Sequence, residues 1–191
     1  MKADDQGWLS GVRRIASPNF DARPAGACVS LLVIHNISLP PGEFGGNAIV
    51  GLFTNTLDTT AHPYFAQLRG LRVSAHFLIR RDGEIVQFVA CGKRAWHAGV
   101  SSWQGRERCN DFSIGIELEG DDFQPFAEAQ YVALARLTRL LCRAYPIRDI
   151  AGHADIAPQR KTDPGPCFDW ARYFRAIGWP DRREAQAVRG N

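Results

Sequence analysis

Val29-Ser30-Leu31-Leu32-Val33-Ile34 is the longest apolar run of the chain, and His35 stands directly behind it. Six residues with almost no polar interruption read as a strand buried on both faces. A histidine at the C-terminal end of such a strand sits where open α/β sheets gather their functional groups. The segment that follows, Ser38-Leu39-Pro40-Pro41-Gly42-Glu43-Phe44-Gly45-Gly46, cannot be regular structure, because its prolines and glycines break either ladder. It is therefore expected to form a loop over whatever His35 binds.

Further strands follow from pattern. Ala75–Ile79 and Glu84–Val89 flank Asp82-Gly83, a pair that tolerates positive φ and marks a hairpin. Phe112–Glu119 alternates, with Ile114, Ile116 and Leu118 on one face and Ser113, Gly115, Glu117 and Glu119 on the other. Between about Glu128 and Tyr145, apolar residues recur at helical spacing. A second helix runs on from Asp169, an N-cap, through Trp170, Tyr173, Phe174 and Ile177 to Gly178 and Pro180. A shorter one covers Ala48–Phe53. Together these predict an α/β fold, a single domain with a central mixed β-sheet flanked by helices. The domain is expected to span residues 1–180, with 181–191 a loose tail lacking apolar periodicity.

Composition narrows the functions. The 191 residues suit one substantial core. A net charge of +3, from 23 basic and 20 acidic residues without long like-charge runs, argues against a nucleic-acid partner. No stretch approaches the roughly 18 apolar residues that span a bilayer, and the acidic start Met1–Trp8 is unlike an export signal. Five cysteines, an odd number without CxxC spacing, fit reduced thiols acting as small buried hydrophobes. Cytoplasmic residence without a membrane or obligate protein partner is the expectation.

The chemistry rests on few residues. His35, His153 in Gly152-His153-Ala154-Asp155, and Asp163 in Lys161-Thr162-Asp163-Pro164-Gly165 could give one zinc ion three ligands. That leaves its fourth position for water, the arrangement of a catalytic site. No short HxxxH signature settles this, and each residue also has an ordinary reading as a surface histidine or a turn aspartate. Glu117 is costly to bury unless paired or chemically employed, and as a carboxylate facing a zinc-bound water it would be a general base. A wet strand face shared with Glu119 is the alternative. Lys161 could stabilise an oxyanion or be a solvated lysine. Of the other histidines, His62 reads as a cap, His76 as a core or groove histidine, and His97, beside Trp96, as a groove wall.

Taken together, several segments resemble a known family. They are Val33–Gly46, Leu71–His76, Arg94–Ser101, Gly105–Gly120 and Arg160–Pro166, spread over about residues 8 to 175. The chain is similar to the cytoplasmic anhydro-N-acetylmuramoyl-L-alanine amidases of bacterial cell-wall recycling. These belong to the wider class that includes phage lysozyme-type amidases and peptidoglycan recognition proteins. The resemblance implies an amidase acting on anhydromuramyl-peptides, with His35, His153 and Asp163 on zinc, Glu117 as proton acceptor and Lys161 as transition-state stabiliser. It further implies Arg72 and Arg108 for substrate carboxylates, Trp96, Asn36 and His97 near sugar or peptide, and Tyr64 as a catalytic assistant. The rival is a fragment-binding or sensing module on the same fold, disfavoured because every expected ligand is present. The approach to His153, Ile147–Gly152, is slightly shorter than in some members, and Asp155 stands at a variable position.

Overall fold

The computed structural model describes residues 2–180, so the expectation for 181–191 lies outside the described residues. A six-stranded sheet forms the centre, in the order β1-β5-β4-β9-β3-β10. Its strands are β1 (Arg13–Arg14), β3 (Leu31–Ile37), β4 (Phe77–Ile79), β5 (Ile85–Gln87), β9 (Ser113–Glu119) and β10 (Asp149–Gly152). Strand β2 (Phe20–Ala22) pairs with β6 (Lys93–Ala95), and β7 (Ser102–Trp103) with β8 (Arg106–Glu107). The helices are α1 (Ala48–Thr54), α2 (Glu128–Ala144), the single turn α3 (His153–Ile156) and α4 (Trp170–Ile177). Only β4 and β5 pair antiparallel within the large sheet, across the Asp82-Gly83 turn. The sheet is mixed and helix-flanked, as the sequence predicts.

Strand parity explains the layers. Leu32 and Ile34 of β3, Phe77 and Ile79 of β4, and Ile114, Ile116 and Leu118 of β9 face Leu134, Leu137 and Leu141 of α2 and Tyr173 and Phe174 of α4. Each such side chain contributes about 1.5–3 kcal/mol when fully buried. Helix α4 starts where expected: Asp169 accepts a bond from the Arg172 N–H, and Gly178 closes the helix in the left-handed region. The opposite face carries two apolar clusters, one under α1 with Leu78, Val86 and Phe88, the other with Leu31, Val33, Ala98 and Ala151. Ser113, Gly115, Glu117 and Glu119 belong to neither. They form a polar strip on that face, and the site is built along it.

Several details depart from expectation: β3 runs Leu31–Ile37, so His35 lies within the strand and not behind it, and the short strands β1, β2, β6, β7 and β8 were not foreseen. Strand β10 was not foreseen: four residues with little apolar content become a strand because β3 offers a parallel partner, from Asp149 beside Leu31 to Gly152 beside Ile34. The hairpin strands are shorter than Ala75–Ile79 and Glu84–Val89. His76 precedes β4, although its backbone still bonds Gly115 and Phe88. Cys28 is exposed and not a buried hydrophobe, whereas Cys91 and Cys109 are fully covered and all five thiols are free. No helix among the described residues is long and apolar enough to cross a membrane.

Candidate active site

His35 leaves β3 on the same face as Leu31 and Val33, and register places it beside Glu117 of the parallel strand β9. His153 opens α3 immediately after β10, one strand further along. Asp163 comes from the loop after α3, tied back by the Ala154 N–H donating to its carbonyl (2.9 Å). This loop presses onto the end of β10. A Cβ at Gly152 would meet the Pro164 ring at 2.7 Å, so only glycine lets strand and loop approach this closely.

The three side chains converge. His35 Nδ1 lies 3.0 Å from His153 Nδ1 and 2.9 Å from Asp163 Oδ2, and His153 Nδ1 lies 3.1 Å from the same oxygen. They are the one group among the described residues with the ligand atoms to hold a metal ion. A tetrahedral zinc with bonds near 2.0–2.2 Å holds its ligand atoms about 3.3 Å apart, close to this spacing. The outer nitrogens support the same use. His153 Nε2 faces the Ala98 carbonyl at 3.0 Å and donates to it, which leaves Nδ1 as a lone pair. His35 Nε2 faces His97 Nδ1 at 2.9 Å. The His153 lone pair, His35 Nδ1 and the Asp163 carboxylate oxygen crowd around one point, and the donor set fits a divalent ion.

Burial favours the neutral form of His35. Desolvation holds His35 below the ordinary histidine value against the pull of Asp163. Burial also opposes ionisation of Asp163, but the adjacent His153 and His35 rings outweigh it and hold the carboxyl below its usual range. Glu117 goes the other way: burial, then the nearby Asp163, raises it well above the usual carboxylate value, and Lys161 only partly offsets this.

Glu117 is buried, and its Oε2 has no hydrogen-bond partner. Its neighbour on the same face, Glu119, is also buried but fully used: it pairs with Arg80 at 2.9 Å and accepts the backbone N–H groups of Gly45 and Arg81. The face is therefore not wet, and the two carboxylates have separated roles.

The site opens into a cleft of about 560 Å³ lined by His35, Glu117, His153, Lys161 and Asp163, with Tyr64, Leu71, Trp96 and Phe123 among its walls. Ser38 and Pro41 of the Pro/Gly-rich loop reach its edge, as expected. Lys161 is exposed at the rim. Asn36 also lines the cleft, but its amide donates to Asp122 (2.8 Å) and to the Pro164 carbonyl (3.1 Å), tying down the loop that carries Asp163. His97 likewise has both ring nitrogens engaged by protein, with His35 and Ser113 (3.2 Å). Arg72 and Arg108 are exposed and stand outside the cleft lining; Arg108 pairs with Asp111 at 3.3 Å. His62 accepts the Tyr64 N–H, the cap expected of it. Asp155 accepts the Gly152 N–H at the start of α3. Asp121, Asp122 and Phe123 at the cleft wall escaped the sequence reading, since nothing in a short acidic turn announces a site.

An open cleft with two imidazoles, a carboxylate and a buried glutamate with a free lone pair is the constellation of a hydrolase that offers a divalent ion three ligands. Within that class the chain belongs to the N-acetylmuramoyl-L-alanine amidase family, whose profile matches residues 25–166. It is 64% identical over 171 residues to the 1,6-anhydro-N-acetylmuramyl-L-alanine amidase AmpD of Escherichia coli K12, covering 88% of this chain and 93% of that one. To AmpD of Haemophilus influenzae it is 53% identical over 180 residues, 93% and 98% of the two chains. Among solved structures, a selenomethionine derivative of AmpD superposes with a TM-score of 0.90 at 62% identity, over 93% and 99% of the chains. Escherichia coli AmiD in complex with anhydro-N-acetylmuramic acid-L-Ala-D-γ-Glu-L-Lys superposes with a TM-score of 0.61 at 30% identity, over 99% of this chain and 72% of that one. The chain is accordingly an amidase, not a binding module alone.

Proposed function

We propose that this amidase uses one zinc ion to hydrolyse the amide between the lactyl group of 1,6-anhydro-N-acetylmuramic acid and L-alanine in muropeptides released during wall recycling. The observation that carries the reading is the unpartnered Oε2 of Glu117, buried beside the converging His35, His153 and Asp163. The AmpD relatives supply the substrate, by their name and their 53–65% identity over most of this chain. When bound to the three ligands, zinc supplies Lewis acidity and acidifies the attacking water toward a pKa of roughly 7.

The remaining steps fall to the protein. Water attacks the lactyl carbonyl carbon while Glu117 Oε2 takes its proton. The Lys161 ammonium at the rim stabilises the negative charge developing on the carbonyl oxygen. The C–N bond then breaks as Glu117 passes the proton to the departing alanine nitrogen, leaving a lactyl carboxylic acid and a free peptide. A raised pKa suits Glu117 to both halves of this transfer. Tyr64 and Trp96 provide walls for sugar and peptide. Arg72 and Arg108 could meet only substrate that extends beyond the cleft. The five unpaired thiols support a reducing, cytoplasmic setting.

Replacing Glu117 with Gln keeps the size and removes the base. Turnover of an anhydromuramyl-tripeptide, followed by mass detection of the free peptide, should fall about 10²–10⁴-fold with zinc still bound. A variant that cleaves at the wild-type rate would remove Glu117 from the mechanism.

A further inference from the structure

His97 lines the cleft, as expected of a groove wall, and its ring packs against β9 at Gly115. A Cβ built on Gly115 would come within 2.4 Å of the His97 ring, so the ring occupies the space a side chain at 115 would take. From that seat Nδ1 reaches His35 Nε2 at 2.9 Å and Nε2 reaches Ser113 Oγ at 3.2 Å. The three partners share a single logic. Ser113, Gly115 and Glu117 alternate on one face of β9, and His35 stands opposite Glu117 on β3. One strand thus carries the anchor, the seat and the proton acceptor.

On the zinc reading above, we infer that His97 is a positioning residue, seated on Gly115 and anchored by Ser113, that fixes the tautomer and ring orientation of His35 and so aims its Nδ1 lone pair at the metal. The proton assignment admits one solution when His35 Nδ1 is a ligand. His35 Nε2 then carries the hydrogen and donates to His97 Nδ1, so the neutral His97 carries its own hydrogen on Nε2 and gives it to Ser113 Oγ. His153 is locked in the same tautomer more simply, by the Ala98 carbonyl. His35 has an imidazole where His153 has a backbone acceptor, and an imidazole can be miscast. The Ser113 contact and the seat on Gly115 are what hold it to one role.

The test measures the zinc dissociation constant of apo-protein by competition with a chromophoric chelator, alongside the melting temperature of each apo-variant. His97→Phe fills the seat on Gly115 without an acceptor and should weaken zinc about 10–100-fold. His97→Asn places an amide oxygen near the former Nδ1 and should recover most of that loss. Gly115→Ala, which alters neither ring, should displace His97 and weaken zinc as well. Wild-type zinc affinity in His97→Phe, or equal losses in the Phe and Asn variants, would overturn the inference while leaving the zinc site intact. If His97→Phe fails to fold, ¹⁵N shifts of the zinc-loaded wild type decide: the inference requires a neutral His97 protonated at Nε2, and an Nδ1-protonated or doubly protonated ring overturns it. A wild type that binds no zinc would sink the metal reading, and this inference with it, before any variant is made.

Discussion

Glu117 and Glu119 lie two residues apart on one strand face, both buried, and differ only in their partners. Arg80 and two backbone N–H groups complete Glu119, whereas Oε2 of Glu117 is left to the cleft. Burying a carboxylate without a partner is costly, and such a cost persists where chemistry uses the group. His76 shows the same burial turned to stability. Burial, helped by the nearby Arg23, lowers its pKa from 6.5 to about 3, while its Nδ1 accepts the Gly115 N–H and its Nε2 faces the Lys93 carbonyl. The unfolded chain takes up a proton that the folded state refuses, so the stabilisation is complete above 6.5 and is lost as pH falls toward 3. His76 should thus contribute a slope of up to about 1.4 kcal/mol per pH unit in that window. Denaturant titrations at several pH values should show a flatter acid limb for His76→Gln than for wild type. Superimposable slopes would remove His76 from the acid sensitivity.

At the scale of elements, the Pro/Gly-rich loop after β3 closes on itself through the Gly42 and Glu43 N–H groups, which donate to Ser38 Oγ and the Pro40 carbonyl, and is fastened to the sheet by side chains from other elements. Arg80, just after β4, donates to Glu119 at 2.9 Å and to the Gly46 carbonyl at 2.9 Å, and Glu119 accepts the Gly45 N–H at 2.7 Å. The pair fastens loop to sheet. Glu119→Ala would leave the Arg80 guanidinium buried without its carboxylate, and breaking such a pair costs about 3–5 kcal/mol. A drop in denaturation midpoint of that size is expected, whereas replacing Glu84, whose contact with Arg13 is exposed, should change little. Equal small effects from the two substitutions would argue that the loop is held otherwise. Arg23 does comparable work for the other end of the sheet, donating to the carbonyls of Cys91, Asn110, Asp111 and Ser113.

For the molecule as a whole, the candidate ligands come from two places far apart in the chain, His35 in one and His153 with Asp163 in the other, so their meeting exists only in the folded state. A metal that binds there stabilises the fold by mass action, by about 2.7 kcal/mol at a hundredfold excess over its dissociation constant. Zinc should accordingly raise the melting temperature of chelator-treated protein, and Asp163→Ala should abolish the rise. A melting temperature indifferent to zinc would speak against a site formed by folding.

Local pattern determined β3, by its unbroken apolar run, the β4–β5 hairpin, by its turn, and β9, α2 and α4, by their periods, because burial on one or two faces is written into the residues themselves. It also placed Ser113, Gly115 and Glu117 on one face of β9, although it gave no reason for the glycine. His35, His153 and Asp163 could be nominated as ligands, but no local spacing joins them, and the resemblance carried their assignment. Tertiary structure decided the rest. β10 became a strand by pairing with β3, Glu119 was separated from Glu117 by the arrival of Arg80, Asn36 was turned to the Asp163 loop, and His97 was brought against Gly115. Each of these depends on a partner distant in the chain, and a contact of that kind leaves no periodic trace in the residues that make it.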